Sequence, residues 1–356
     1  KGNVIDPLEI IDQYGTDALR FTLSAMAAQA RDIKLAVNRV EGYRNFATKL
    51  WNAARYCQMN GCEPVAGYKP VGLTQTVNRW IVGALADAAT KVAESIDTYK
   101  FNEAAGAAYQ FTWGTFCDWY MEFTKPILAG TDEAAKAETR ATTAWVLDQI
   151  LHILHPLMPF ITEELWEQLS PTRANRLISA EWPEFAADVA DPASRDEMDW
   201  VIGLVSGIRG VRSEMNIPTS VQMPVYVLNA GAQTSQLVTR YQDLVIRMAR
   251  ISGLHPTNAD EAAQIAMAKG NVKFVLGGET VALQVAEYVD VEKERARLSK
   301  EIDKLTGEIK KIDAKLSNEQ FVAKAPAEVI EEQRDRREAA DQDRDKLQKA
   351  LEVLAG

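Results

Sequence analysis

Six apolar residues toward the end of the chain, Leu298, Ile302, Leu305, Ile309, Ile312 and Leu316, recur at alternating intervals of four and three. That repeat keeps one apolar stripe on one side of a supercoiled helix, so the segment needs a second helix to cover it. The same register continues further along at Ile330, Ala340, Leu347, Leu351 and Leu354, with Gln333, Arg337 and Arg344 at the intervening seam positions. Between the arms lies SNEQFVAKAPAEV, whose Pro326 cannot continue a helix. The pattern predicts an antiparallel coiled-coil hairpin over 291–356. Its first arm, 291–317, has 8 Lys and Arg against 6 Asp and Glu, and its second, 326–356, has 6 against 9. Opposite net charges would face each other, and an arginine on the seam must snorkel out or find a partner, which predicts a loosely held middle.

The first two hundred residues read as helices at other spacings. Asp6, Pro7 and Glu9 form an N-cap, a first-position proline and a capping-box carboxylate, and Gly15 closes that short helix. In RVEGYRNFATKLWNAARYCQM, residues Tyr43, Phe46, Leu50, Ala54 and Cys57 share one face while Arg44, Asn45, Lys49, Asn52 and Arg55 share the other. Further helices are expected from about Thr74 to Tyr99, from Asn102 to a stop at Pro126, and from about 131 to the HPLMPF break, with ITEELWEQL resuming beyond it. Helices with short connections make a bundle. A helix from Trp200 to about Met215 follows, then the β-branched runs VQMPVYVL, NVKFVLG and VALQVAEYV, with a helix near Gln233–Ile251 between the first two. The expected architecture is mainly α: 1–36 a stem, 37–199 a helical bundle, 200–290 a small α/β module, and 291–356 the coiled coil.

At 356 residues and 47% hydrophobic, the chain can bury several cores. No run approaches the roughly eighteen apolar residues that would span a bilayer, and nothing resembles an export signal, so a cytoplasmic protein without membrane partners is expected. Three cysteines and three histidines form no metal-ligand spacing, and no catalytic constellation emerges. The net charge of −10 opposes indiscriminate nucleic-acid binding, DNA included, because that affinity comes from cations neutralising phosphates. Local basic patches remain candidates for RNA.

Several patterns fit such a patch, each beside a plainer reading. Asn45, Lys49 and Asn52 recur on one face, where amides read base edges and lysine meets phosphate; a solvated helix face explains them equally. FNEAAGAAYQFTWGTFCDWYMEF holds eight aromatics in 23 residues, which either stack on splayed bases or fill a core. Tyr56, beside Asn52 and Arg55, is the better stacking candidate. Arg209 and Arg212 lie one turn apart as a phosphate or stacking pair, or as partners of surface carboxylates such as Glu214. His152 and His155 suit a core or cap role. Arg334, Arg336 and Arg337 could contact phosphate from a projecting arm, although Glu331, Glu332, Asp335 and Glu338 balance them.

KGNVIDPLEIIDQYGTDALRF resembles the segment directly after the Lys-Met-Ser-Lys-Ser loop of class I aminoacyl-tRNA synthetases, through Lys1-Gly2-Asn3, Asp6-Pro7 and the Gly-x-Asp-x-x-Arg element Gly15 to Arg20. Within that class, RVEGYRNFATKLWNAARY, HILHPLMPFITEELW and LSNEQFVAKAP look like the valyl-tRNA synthetase family. The cysteine-rich zinc module on which isoleucyl enzymes often end is absent from this sequence, and leucyl and methionyl enzymes lack this heptad hairpin. Two positions depart from the family pattern, Ala30 where Gly is usual and Thr48 where Asn is usual; the second weakens a base-reading role there.

The resemblance implies that valine activation with ATP and magnesium belongs to a catalytic part upstream of Lys1, with Lys1, Gly2 and Asn3 flanking its ATP loop and no catalytic residue or metal in this chain. The chain would bind valine tRNA as a monomer. Arg44, Asn45, Lys49, Asn52, Arg55, Tyr56, Arg209 and Arg212 would serve the anticodon side, and Arg334 and Arg337 the tRNA elbow. An α-helical module whose coiled coil mates with another protein is the competing expectation.

Overall fold

The computed structural model describes residues 6–27, 35–185, 189–267, 271–285, 291–318, 321 and 327–355. Lys1, Gly2, Asn3 and Ala30 lie outside the described residues. The chain divides into two compact units, Lys1–Met198 and Asp199–Gly356.

The first unit is helical. It contains α1 (Pro7–Tyr14), α2 (Thr16–Met26), α3 (Val37–Met59) and α4 (Thr76–Asp97), then α5 (Phe101–Tyr109), which passes through a π-helical segment, Gln110–Tyr120, into α6 (Met121–Ala129). After these come α7 (Glu133–Leu154) and α8 (Pro159–Leu169). Local chemistry sets the ends. Asp6 accepts the Leu8 N–H at 2.9 Å, Gly15 takes φ +90° past the last turn of α1, and Asp132 accepts the N–H groups of Ala134 and Ala135 at 3.0 Å. The apolar faces meet in a core that buries Phe21, Phe46, Leu50, Ile81, Leu85, Phe116 and Leu147 completely or nearly so, each such side chain contributing about 1.5–3 kcal/mol.

Carboxylates on one helix complete the hydrogen bonds at the start of another. Asp17 on α2 accepts from Ile161 N–H at 2.7 Å and Phe160 N–H at 3.3 Å in the first turn of α8, while Arg20 donates to the Pro156 carbonyl at 3.1 Å. The Gly-x-Asp-x-x-Arg element is thus a clasp between α2 and the corner joining α7 to α8. On α7, Glu138 accepts from Thr74 N–H at 2.8 Å, Gln75 N–H at 2.9 Å and the Asn78 amide at 2.9 Å. Asn78 in turn accepts the buried Tyr120 hydroxyl at 2.9 Å, so a polar chain crosses the core with its members paired.

Pro126 does not end its helix, as the sequence reading expected; it lies inside α6, which runs on to Ala129. Its ring removes one N–H from the ladder, and the helix carries on for three more residues.

The second unit begins within α9 (Pro192–Glu214), which starts eight residues before the expected Trp200. It continues with β1 (Pro224–Leu228), α10 (Ala232–Ala249), β2 (Gly253–Pro256), α11 (Ala259–Met267), β3 (Asn271–Leu276) and β4 (Glu279–Gln284). The sheet order is β2-β1-β4-β3. β1 pairs parallel with β2 across α10, with Val225 opposite Leu254, and antiparallel with β4, with Tyr226 opposite Ala282. Strand β2 and helix α11 escaped the sequence reading. β2 is four residues, Gly-Leu-His-Pro, without a β-branched member. Gly203 and Gly207 of α9 open a groove for β3: a Cβ on Gly203 would stand 2.7 Å from Leu276 Cδ1, and one on Gly207 would meet the Phe274 ring.

The hairpin helices are α12 (Val291–Leu316) and α13 (Ala327–Ala355). Leu298, Ile309, Ile312 and Ala340 are buried along the seam. Its two arginines both find carboxylates. Arg337 crosses to Asp313 on α12 at 2.8 Å, and Arg344 bridges Asp341 at 2.7 Å and Asp345 at 3.0 Å on its own helix.

Candidate nucleic-acid interface

Helix α3 is built as its two-faced pattern requires. Val40, Phe46, Leu50, Ala53, Ala54 and Cys57 are buried, whereas Arg44, Asn45, Asn52 and Arg55 are exposed. Thr48 is also exposed, and its hydroxyl donates back to the Arg44 carbonyl at 3.2 Å. This exposed stripe is the largest set of expected tRNA-binding side chains that the structure brings together.

Lys49 sits at the edge of the stripe. Its ammonium pairs with Asp118 at 3.0 Å and stands 5.3 Å from the centre of the Trp113 ring. Trp113 and Asp118 both come from the π-helical segment. Trp113 stacks at 27° on Phe46 and Tyr109, with ring centres 6.2 and 5.7 Å apart. The lysine is thereby held by a carboxylate on one side and a π-face on the other, an arrangement that fixes a cation at a surface. Sequence reasoning missed Trp113 and Asp118 as neighbours of Lys49. The density of aromatics was the available signal, and the run divides: Phe111, Phe116, Tyr120 and Phe123 are core, while Tyr109, Trp113 and Trp119 are half-buried.

Tyr56 is half-buried. Its hydroxyl lies 3.1 Å from Thr124 Oγ1, and burial raises its phenol above the usual value. The ring is therefore anchored at its far end against α6.

The arginines of the second unit have other geometry. Arg209 donates through Nε and Nη2 to the Met248 carbonyl at 3.2 and 2.9 Å. Arg212 donates to the carbonyls of Arg250 at 3.0 Å and Pro218 at 2.8 Å, and is only 7% exposed. Both guanidinia brace the C-terminal end of α10, where carbonyls lack helical partners. The sequence reading set Arg209 and Arg212 one turn apart as a phosphate or stacking pair; in the structure both guanidinia donate to backbone oxygens, which planar donors suited to anions serve equally. On the hairpin, Arg334 is exposed, Arg336 grips Glu308 at 2.8 and 2.5 Å, and Arg337 remains part-exposed while paired with Asp313.

His152 Nδ1 lies 2.8 Å from the Asp148 carbonyl and His155 Nδ1 lies 2.8 Å from Thr162 Oγ1. Burial lowers both imidazoles below their usual range. Cys57, Cys62 and Cys117 are buried free thiols, and burial pushes the Cys117 thiol up to about 12. Among the described residues, no three His, Cys, Asp or Glu side chains are placed to hold a metal ion. No helix among them is long and apolar enough to cross a membrane.

Comparison with known proteins decides the family. Residues 78–227 match the anticodon-binding domain of tRNA ligase, residues 290–355 the valyl tRNA synthetase tRNA binding arm, and residues 1–36 the class I tRNA synthetases for isoleucine, leucine, methionine and valine. A valine–tRNA ligase of Caulobacter vibrioides is 49% identical over 100% of this chain and 39% of its own length. The chain belongs to the valyl-tRNA synthetase family. Valine–tRNA ligases of Bradyrhizobium diazoefficiens and Rhizobium meliloti are each 48% identical over 99% of the chain, covering 40% and 36% of those proteins. The chain spans about two fifths of the length of these valyl-tRNA synthetases. Helix α3, with its polar stripe, falls between the spans matched at 1–36 and 78–227.

Proposed function

We propose that this chain is the tRNA-binding portion of a valine–tRNA ligase. The match of 290–355 to a valyl-specific tRNA binding arm, on a chain 49% identical throughout to such a ligase, carries the reading. In this reading the 37–199 bundle meets the anticodon loop, 200–290 links, and the 291–356 hairpin meets the elbow of valine tRNA. Arg44, Arg55 and Lys49 would neutralise phosphates, and Asn45 and Asn52 would donate to base edges. Tyr56, anchored at its hydroxyl, and Trp113, fixed by Phe46 and Tyr109, would offer ring surface to unstacked bases. Arg334 and Arg337 would reach the elbow, where a guanidinium plane stacks on an outer base pair.

The whole enzyme would join valine to this tRNA in the cytoplasm. ATP with magnesium would supply the energy by activating valine. Lys1, Gly2 and Asn3, whose sequence resembles the flank of the ATP loop, lie outside the described residues, and the described residues serve positioning.

Binding of valine tRNA by the chain, measured against salt and against an anticodon-substituted transcript, tests the reading. Affinity should fall steeply with salt, because released counterions drive phosphate contacts, and should fall again on changing the anticodon. Equal affinity for any tRNA would overturn it. Removing residues 291–356 should weaken tRNA binding; conversion of a dimer to a monomer instead would favour the coiled-coil protein-interaction reading.

A further inference from the structure

The two helices of the hairpin turn opposite charges to solvent. With Leu298, Ile302, Leu305, Ile309 and Ile312 on the seam, heptad geometry points Lys300, Asp303, Lys304, Gly307, Lys310 and Lys311 of α12 away from α13. The four lysines and Asp303 are exposed, and Gly307 is half-buried. The corresponding outward positions of α13 include Glu332, Asp335, Glu338 and Asp345, all exposed, beside Lys346. A solvated coiled-coil face with no other duty alternates its charges along each helix; here the signs are sorted, one to each arm.

The acids of α12 that could neutralise these lysines are engaged elsewhere. Glu301 pairs with Arg297 at 3.4 Å, Glu308 with Arg336, and Asp313 with Arg337 across the hairpin. Among the described residues, Lys300, Lys304, Lys310 and Lys311 pair with no carboxylate. Asp303 is the one acid among the outward positions from 296 to 318. Lys300 and Lys304 are like charges one turn apart, as are Lys311 and Lys315, and such pairs cost a helix stability. Gly307 adds a second cost. Glycine is a poor helix former, yet a Cβ there would meet nothing within 4 Å, and the position is an ordinary helical one inside α12. Neither packing nor backbone conformation calls for glycine. Lys304 and Lys311 flank it, two turns or roughly 10 Å apart along the axis.

We propose that the outward face of α12 seats the sugar–phosphate backbone of a double-helical RNA arm, with Lys300, Lys304, Lys310 and Lys311 on phosphates and Gly307 at the point of closest approach. From 296 to 314 the outward positions hold no aromatic ring and no amide, the groups that stack on bases or read their edges. Such a face suits paired RNA, which is met through its backbone and shape. Acids on the outward side of α13 repel phosphate, so of the two outward faces only that of α12 attracts it. The inference rests on the reading of the chain as a tRNA-binding protein. It assigns the side of the hairpin that meets the backbone, and its residues are distinct from the α3 stripe and from Arg334 and Arg337 on α13.

The test uses the whole chain with valine tRNA, following affinity from about 50 to about 200 mM potassium chloride, a range over which phosphate contacts separate strongly. Lys304→Gln and Lys311→Gln should each bind several-fold more weakly, with a salt slope lower by about 1. Their thermal midpoints should be no lower than that of wild type, because each substitution relieves a like-charge pair. Lys346→Gln removes the same charge from the outward face of α13 and should leave affinity and slope unchanged. Gly307→Gln should raise the thermal midpoint, since glutamine is the better helix former, while weakening binding several-fold. That opposition separates a seat for RNA from residues needed for folding. If wild type binds tRNA and both lysine variants of α12 bind with unchanged affinity and slope, the inference is overturned and the tRNA reading stands. If Lys346→Gln lowers the slope as much as Lys304→Gln, total charge rather than the α12 face governs binding, and the inference is again overturned. Undiminished binding by Gly307→Gln would refute the close approach at that residue. If wild type itself shows no salt-dependent tRNA binding, the reading falls and the inference with it.

Discussion

Replacing Asp17 with alanine should loosen the first unit by a calculable amount. The side chain accepts two N–H groups in the first turn of α8, at 2.7 and 3.3 Å. Helix α8 has no side-chain cap of its own. Removing a capping oxygen costs about 1 kcal/mol, and removing a negative charge from a helix N-terminus about another 0.3–1 kcal/mol. Burial works against the charge. It raises the Asp17 carboxyl above its ordinary value despite the bonds to Ile161 and Phe160 and the nearby Arg20 and His155, so the upper end of that sum is trimmed. The expectation is about 1.5 kcal/mol, which for a unit of this size shifts the midpoint by about 3–6 °C. Differential scanning calorimetry of wild type and Asp17→Ala gives the answer. A midpoint within about 1 °C of wild type would refute the clasp, because water would then be serving the helix end. Asp17→Asn keeps an acceptor and should lose less near neutral pH. Its pH dependence carries a sign. With its folded pKa raised, Asp17 takes up a proton in the folded state first, so wild type gains stability as pH falls toward 3.8. Asparagine cannot, and the gap in favour of wild type should widen on acidification.

Arg337→Ala should bind valine tRNA several-fold more weakly with unchanged helicity, since the residue is part-exposed and its partner Asp313 stands at the surface too; a marked loss of ellipticity by circular dichroism would contradict this. The folded state should also weaken as pH falls below 6.5. His152 and His155 have folded pKa values lowered by burial from an ordinary 6.5, so the unfolded chain takes protons first and stability is lost as pH falls below that value. Thermal melts of a His152→Gln, His155→Gln double variant should show a flatter slope over that window, and an unchanged slope would remove the histidines from the account.

The parts legible in the sequence were those where local chemistry decides structure. The Asp6 cap, the two-faced α3 and the heptad seam each follow from spacing alone, because helix geometry converts interval into direction. The clasp was visible as Gly15, Asp17 and Arg20, but their partners lie on α8 and before it, and no local rule names them. β2 was hidden because it is held through its pairing with β1 and has little propensity of its own. Arg212 shows where charge reading stops: a guanidinium looks the same in sequence whether it meets phosphate or carbonyl. Trp113 was obscured by the π-helical segment. Its i→i+5 bonding widens each turn, so side chains beyond Gln110 rotate away from the positions a regular helix predicts.

The seam arginines have a consequence for how the hairpin chooses its alignment. A seam of leucine and isoleucine alone is periodic, and one arm can slide along the other by a heptad, or take up the arm of a second copy, at little loss of apolar contact. Arg337 to Asp313 and Arg336 to Glu308 are satisfied in one alignment, and a one-heptad slip would set Thr306 or Gln320, neither of them acidic, in the place of Asp313. The same residues that weaken the interface therefore select its register, keeping two long amphipathic helices folded on each other when another pair of arms could compete for them.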